Sequence, residues 1–494
     1  MARPVKTWDI AIELDPSAAE PLFLQIARGI SADIQRGRLL AGTRLPGSRS
    51  LAATLSVHRN TVVAAYEELL AEGWLESSQA SGTFVADILP PSVPKKRNNS
   101  PRRLRQPGYE LPERSSGLPT DTPNRDELLP MGDGVCDPRL LSVTEFGRKY
   151  RRILETHRLE VLSYGNAQGH PRLRQALSEM LNTARGLDTD SSQVLVTQGT
   201  QMALDLVARA LISPGDVVIV EALGYRPAWA AFQQYGAKLV PVRVDAQGID
   251  TDRIKAIAAK HRVRAVYTTP HHQYPTTVIM NPARRMALLE LAQQHRFAIV
   301  EDDYDHEYHY EGRPVLPMAS RDAHGVVIYL GTLAKLLAPG IRLGFVAAPA
   351  AVTELLTAHR LIVDRQGDHP LQMTVAELLD DGTIPRHARR ARRIYQARRD
   401  HVVKALRKQL GGAITFNVPQ GGMALWAEVS GDINVEAWAR SAIEHGVAIR
   451  TGGSLAFDGR YRPNIRLGFA ALDERELDTA VRRLAKALAN TPKN

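Results

Sequence analysis

A chain of 494 residues exceeds the size at which one hydrophobic core keeps growing, so at least two domains are expected, one of them large enough for a buried cofactor pocket. Its hydrophobic residues, 44% of the total, fall in short runs far from the roughly 20 apolar residues that span a bilayer, and MARPVKTWDIAIELDPS has no apolar export core, so a cytoplasmic protein with no membrane partner is expected. The single cysteine, Cys136, excludes an intramolecular disulfide and a cysteine-rich zinc site, no metal is expected, and the net charge of +10 implies a polyanionic partner if it is concentrated on one surface.

From about Pro21 to Val85 the pattern predicts three helices and a hairpin. Leu22, Ile26, Ile30 and Ile34 recur at four-residue spacing in LFLQIARGISADIQRG, a core-facing stripe that Gly37 is suited to end. Pro46 and Gly47 form a turn, Ser48 is the expected cap of a short helix, SLAATL, and Ser56-Val57-His58 turns into RNTVVAAYEELLAEG, which ends at Gly73. Two helices on so short a turn predict a helix-turn-helix, and WLESSQASGTFV, with strand-like pieces around Ser81 and Gly82, predicts its wing.

Charge distribution agrees. From Ile34 to Tyr66 there are five arginines (Arg36, Arg38, Arg44, Arg49, Arg59) and no Asp or Glu, whereas acids resume at Glu67, Glu68 and Glu72. A recognition helix enters the major groove by its N-terminal residues, so Arg59 and Asn60 are assigned to bases and Arg49 and Thr61 to phosphates, with Ser81-Gly82-Thr83 supporting. The expected partner is a double-stranded DNA operator. Residues 1–86 are read as this domain and 87–124, rich in Pro, Ser, Asn and Arg without apolar periodicity, as a flexible basic linker.

Over 125–494, helical runs such as PRLRQALSEMLNTARG and MALDLVARALI alternate with QVLVTQ, DVVIVE, RAVYTT, FAIVEDD and VVIYLGT. That alternation predicts βαβ units and a mainly parallel sheet in an α/β domain. From about Ala350 the chain is helix-rich with strand-like ALWAEV, VAIRTG and NIRLGFA, a smaller subdomain.

Lys335 is the only lysine between Lys260 and Lys404, and it lies in the apolar run GTLAKLLAPG. A desolvated lysine amine forms an imine with an aldehyde, which arginine cannot do. Thr332 and Arg342 flank it with a hydroxyl and a guanidinium suited to a phosphate. The strand FAIVEDDYD ends in acids where α/β sheets place ligand-binding residues. Asp302 and Tyr304 share one face of an extended chain there, a carboxylate suited to a protonated ring nitrogen and a phenol suited to a ring oxygen, with Asp303 the alternative to Asp302. In VLVTQGTQMALDLVARAL, the N–H groups of Gly199, Thr200 and Gln201 stand at a helix N-terminus, ready for a phosphate.

The string T-x-x-K-x-x-x-P-G-x-R-x-G from Thr332 to Gly344 resembles the pyridoxal 5'-phosphate (PLP) lysine segment of class I, fold type I aminotransferases. The resemblance implies that Tyr225 stacks on the pyridine, that Tyr164 of the Y-G-N motif reaches the partner subunit's phosphate unless it is a plain turn residue, and that Arg466 in NIRLGFA clamps an effector carboxylate. One position departs from the family pattern. Tyr274 stands before Pro275 where the catalytic enzymes carry Asn, which puts efficient transamination in doubt. LPGSRSLAATLSVHRNTVVAAYEELLAEGWL resembles the GntR-type winged helix, and the fusion, with the basic helix from His387 to Asp400, resembles the MocR/GabR group of bacterial regulators. That resemblance implies a homodimer with PLP at its interface, and an amino acid or amine effector that displaces Lys335 by forming an external aldimine. The competing readings are an active aminotransferase with an accessory DNA-binding domain, and a DNA-binding protein whose large domain is only a dimerisation scaffold.

Overall fold

Three helices and a hairpin build the N-terminal part of the computed structural model, which describes residues 12–78, 82–89, 109–110 and 128–491. Helix α1 (Leu22–Gln35) buries Ile26, Ile30 and Ile34 and leaves Leu22 half-exposed; it stops before Gly37, whose φ of +71° favours a residue without Cβ. Helix α2 (Ser48–Leu55) departs from expectation at its start, because Gly47 is the N-cap and Ser48 is the first helical residue. No side chain caps α2, and the Ser48 hydroxyl instead accepts from Arg59 Nε at 3.4 Å. Helix α3 (Arg59–Ala71) starts at His58, whose Nδ1 accepts from Asn60 N at 3.2 Å. Ser56, in the left-handed region at φ 55°, turns the chain between the two helices. Strands β1 (Leu75–Ser78) and β2 (Gly82–Val85) pair antiparallel as the wing, whose Ser81 lies outside the described residues. Leu51, Val62, Leu69, Trp74 and Leu75 close this core with α1.

The chain divides into two compact units, Met1–Pro112 and Glu113–Asn494. The linker expected at 87–124 falls almost wholly outside the described residues. In the second unit α4 (Pro171–Arg185) precedes β3 (Val194–Thr197), α5 (Thr200–Leu211), β4 (Val217–Glu221), α6 (Arg226–Gln234), β5 (Lys238–Val242), β6 (Val263–Thr268), β7 (Ala298–Asp303), β8 (Val327–Thr332) and β9 (Gly344–Ala347). These strands form one seven-stranded sheet in the order β3-β9-β8-β7-β6-β4-β5, parallel except for β9. Such a sheet is covered on both faces, so its strands read as continuous apolar runs. Ile219, Val266, Ile299 and Tyr329 face one buried cluster, while Val218, Val220, Tyr267, Val300 and Leu330 face the other.

Two strands of this sheet were not foreseen. KLVPV carries Pro241, which a sheet tolerates at an edge, and β5 is the edge strand. GFVA is only four residues long and enters from a turn. The smaller subdomain combines α7 (Thr383–Leu410), a four-stranded antiparallel sheet of β10 (Ile414–Phe416), β11 (Ala424–Val429), β12 (Arg450–Thr451) and β13 (Asn464–Gly468), and α8 (Glu474–Ala489). Among the described residues no helix is long and apolar enough to cross a membrane.

Candidate functional site

Lys335 sits on a turn just past the end of β8, so its backbone leaves the sheet at the edge where α/β folds collect ligand-binding groups. The turn is fastened from below. Cys136 Sγ donates to Ala334 O at 3.3 Å, the Tyr308 hydroxyl donates to Lys335 O at 3.0 Å, and His387 Nε2 lies 3.0 Å from Leu336 O. The Lys335 amine donates to Gly134 O at 3.1 Å. Burial, the largest influence, pushes its pKa below the ordinary lysine value against the pull of Cys136 and Asp133. The same burial pushes the Cys136 thiol up to about 11, which leaves it an inert packing group.

Adjacent residues of a strand point to opposite faces, and this separates the two candidate acids. Asp302 Oδ2 accepts from the Tyr267 hydroxyl at 2.8 Å, and its Oδ1 is buried with no hydrogen-bond partner among the described residues. Burial raises its pKa to about 7, and the neighbouring Asp303, Asp305 and Glu221 add to the rise. Asp303, on the other face, already receives the Tyr329 hydroxyl at 2.7 Å and His306 Nδ1 at 2.8 Å. Although burial opposes it, His306 and His271 hold the Asp303 carboxyl well below its usual range. Strand β7 ends at Asp303, so Tyr304 begins a bend; its hydroxyl donates to His272 O at 2.8 Å and lies beside the Arg466 guanidinium.

Gly199 caps α5 at φ 79° and ψ 171°, a conformation essentially confined to glycine. A Cβ there would stand 2.8 Å from Arg342 Nη2, so the glycine also makes room for that guanidinium. Arg342 donates to Gln198 O at 3.1 Å but stays exposed, and with the α5 N-terminus it forms a cationic cradle. Gln201 Nε2 donates to Pro227 O at 3.2 Å, which ties α5 to α6. The Thr332 hydroxyl accepts from Ala334 N at 3.1 Å, so it shapes the lysine turn.

Arg466 is buried in β13, where Nη1 donates to Pro275 O at 2.7 Å, the guanidinium lies 4.6 Å from the Tyr274 ring centroid, and Nε has no hydrogen-bond partner among the described residues. Tyr274 in turn packs edge-on against Tyr225 at 5.7 Å. The residue that departs from the aminotransferase pattern therefore lies between the aromatic cover and the arginine. Its segment is pinned by Gln273, whose Nε2 donates to the buried Glu221 at 3.0 Å and to Leu223 O at 2.8 Å. Burial, with Asp302 second, pushes the Tyr225 phenol up to about 12. Tyr164 does not join this group: it is 80% exposed and carries the Arg365 guanidinium 4.2 Å from its ring centroid. Sequence reasoning missed Tyr267 because a tyrosine in a buried strand reads as core.

In the first unit Arg49, Arg59 and Asn60 are exposed and Thr61 is half-buried, all at the start of α2 or α3. Gly82 opens β2 at φ 111°, with Arg44 Nε 3.2 Å from where its Cβ would be. Arg44 thus lies against the wing, a position its place in the acid-free run did not reveal. The basic run in α7 is more structural than its charge suggests. Arg398 is buried against Asp137 at 2.9 Å, and buried Arg399 bonds Glu311 and Pro419 O.

Fold and site together define a PLP domain of the fold type I aminotransferase class joined to a winged helix-turn-helix. Residues 137–484 match the aminotransferase class I and II family and residues 22–85 match the gntR family of bacterial regulatory proteins. The chain is 34% identical over 481 residues to the probable rhizopine catabolism regulatory protein MocR of Rhizobium meliloti, covering 96% of this chain and 95% of that one. It is 31% identical over 505 residues to the HTH-type transcriptional regulator TauR of Rhodobacter capsulatus, covering 99% and 100%. Among solved structures, the α-aminoadipate aminotransferase of Thermus thermophilus superposes with a TM-score of 0.69 at 29% identity, covering 74% of this chain and 93% of that one. The chain belongs to the MocR-type branch of the GntR family: it is a DNA-binding transcription regulator with a PLP-binding, aminotransferase-like domain. Its residues fit that cofactor, since the unpartnered Asp302 oxygen, the Gly199 cradle with Arg342 and the desolvated Lys335 amine supply the three kinds of contact that PLP requires.

Proposed function

We propose that this regulator senses an amino acid or amine through Lys335 and couples its presence to binding of a DNA operator by the winged helix. The observation that carries the reading is the desolvated Lys335 amine standing within the electrostatic influence of Arg466 and Asp133, inside a buried polar site. Bound PLP supplies an aldehyde carbon that condenses with primary amines. Lys335 is the residue that would hold that carbon, and desolvation would keep its amine available when an amino compound competes for it. Asp302 would keep a proton on the pyridine nitrogen, a role Asp303 is badly placed for because His306 and Tyr329 occupy it. Arg342 and the N–H groups of Gly199, Thr200 and Gln201 would hold the phosphate, with Thr332 positioning the lysine turn. Tyr225 would cover the ring, Tyr304 would face the 3'-oxygen, and Arg466 would receive the effector carboxylate.

Arg59 and Asn60 read bases, Arg49 and Thr61 hold phosphates and the wing at Gly82 supports them, and we assign this work to the cytoplasm. We assign 1–86 to DNA binding, 87–124 to a linker and 125–494 to effector binding and dimerisation. A homodimer is supported by Leu159, Leu162 and Tyr164, all strongly exposed in one chain. Titrating purified protein with amines and amino acids, reading the visible cofactor band and operator footprint together, tests the proposal. An amine that shifts the band and leaves DNA binding untouched at every concentration refutes the coupling. The second reading, an active aminotransferase, is favoured by the solved relative, an aminotransferase complexed with N-(5'-phosphopyridoxyl)-L-leucine. Steady-state turnover with amino donors and keto acids separates the two.

A further inference from the structure

The segment between β6 and Tyr274 and the segment after β7 bring an unusual number of imidazoles together under the site. His271, His272, His306 and His309 are all buried. Rings of His271 and His272 stand 4.4 Å apart, those of His271 and His306 4.7 Å, and those of His272 and His309 6.3 Å. Both nitrogens of His271, Nε2 of His272 and Nδ1 of His309 are buried without a hydrogen-bond partner among the described residues. Buried polar atoms are nearly always satisfied, so several orphans in one cluster require an explanation.

We propose that His271, His272 and His309 form a three-histidine site for a divalent transition-metal ion, zinc foremost. One ring nitrogen from each lies within 4.8 Å of those of the other two. Zn–N bonds of about 2.1 Å require roughly 3.4 Å between ligand nitrogens in a tetrahedral site, a closure within reach of side-chain rotation. His272 is oriented as metal-bound histidines are: its other nitrogen, Nδ1, lies 2.8 Å from Asp305 Oδ1, which fixes the tautomer and leaves Nε2 as the ligand atom. Gly421 packs its backbone close to that nitrogen, since a Cβ there would stand 2.2 Å from Nε2 and only glycine fits.

A second triad, His271, Asp303 and His306, shares one ligand with the first. It is the weaker candidate because Asp303 already serves His306 and Tyr329. The absence of a cysteine set, which argued against a metal in the sequence, does not bear on an all-imidazole site.

The test uses the full-length holoprotein, stripped with chelator, exposed to zinc ion at micromolar concentration and freed of excess. Elemental mass spectrometry should find one zinc per chain, falling at least tenfold in His271→Gln and His309→Gln and unchanged in His306→Gln. Zinc-edge X-ray absorption of the unmutated protein, which does not depend on the variants folding, should show nitrogen scatterers with the outer-shell signature of three imidazoles. Uptake of no zinc overturns the proposal, as does a coordination shell without imidazole. Loss of zinc in His306→Gln with retention in His309→Gln assigns the ion to the other triad and overturns this one. Loss in Lys335→Ala, with the histidines intact, points to chelation by the cofactor and overturns it as well.

Discussion

Replacing Asp302 by Asn separates the cost of burying that carboxylate from its use by the cofactor. The folded carboxyl, with a pKa near 7, holds its proton more tightly than the unfolded one at 3.8. Stability of the cofactor-free protein therefore falls as pH rises from 3.8 to 7 and is flat above; the penalty is absent below 3.8. At about 1.4 kcal/mol per pKa unit, the raised pKa costs about 2 kcal/mol at pH 5, where the folded carboxyl still holds its proton, and about 4 kcal/mol at pH 8, where it is ionised, the latter an upper figure because relaxation and water soften burial. Asn keeps an acceptor for the Tyr267 hydroxyl and never ionises. Cofactor-free Asp302→Asn should be more stable than the parent, by a margin that widens from pH 5 to pH 8 in thermal unfolding. With PLP bound the order should reverse, because the variant lacks the partner for the pyridine nitrogen. A hydrogen bond to a charged group contributes about 1.5–3 kcal/mol, so cofactor retention should weaken roughly ten- to hundredfold. If Asn destabilises the cofactor-free protein equally at both pH values, Asp302 is ionised and well paired there, and the reasoning fails.

Four further outcomes are expected. Lys335→Ala should abolish the visible cofactor band and block borohydride fixation, and attachment to another lysine in peptide mass spectra would discredit the assigned site. Gly199→Ala forces a side chain into a glycine-only conformation at about 1–3 kcal/mol and crowds Arg342, so PLP should dissociate faster while unloaded stability falls only by that amount; unchanged cofactor release speaks against the cradle. Arg466→Ala should keep PLP yet lose about 2–4 kcal/mol of affinity for carboxylate-bearing effectors and little for plain amines, and equal losses for both would remove Arg466 from carboxylate recognition. Arg49→Ala should weaken binding to all DNA and lower the salt slope by about one, whereas Arg59→Ala should also relax base preference by roughly 1–3 kcal/mol; operator footprints like the parent's in both variants would move recognition elsewhere.

Local chemistry made much of this protein legible in its sequence. The lone Lys335 among arginines, the Thr332 and Arg342 spacing, the acid-free run over the DNA-binding helices and the apolar strand runs each follow from a residue's own capacities, and the fold and family they implied stand. Contacts between segments distant in the chain could not be read that way. Asp302 and Asp303 are equivalent in a string of letters; only sheet facing gives one a free oxygen near Tyr225 and hands the other to His306 and Tyr329. Ser48 has the composition of a cap, but the chain enters the helix one residue early and leaves that place to Gly47. Tyr274 looked like a missing asparagine, and packing made it the plate between Arg466 and Tyr225. The four histidines lie on two segments that become neighbours only because β6 and β7 are adjacent parallel strands, whose C-terminal ends meet at one edge of the sheet.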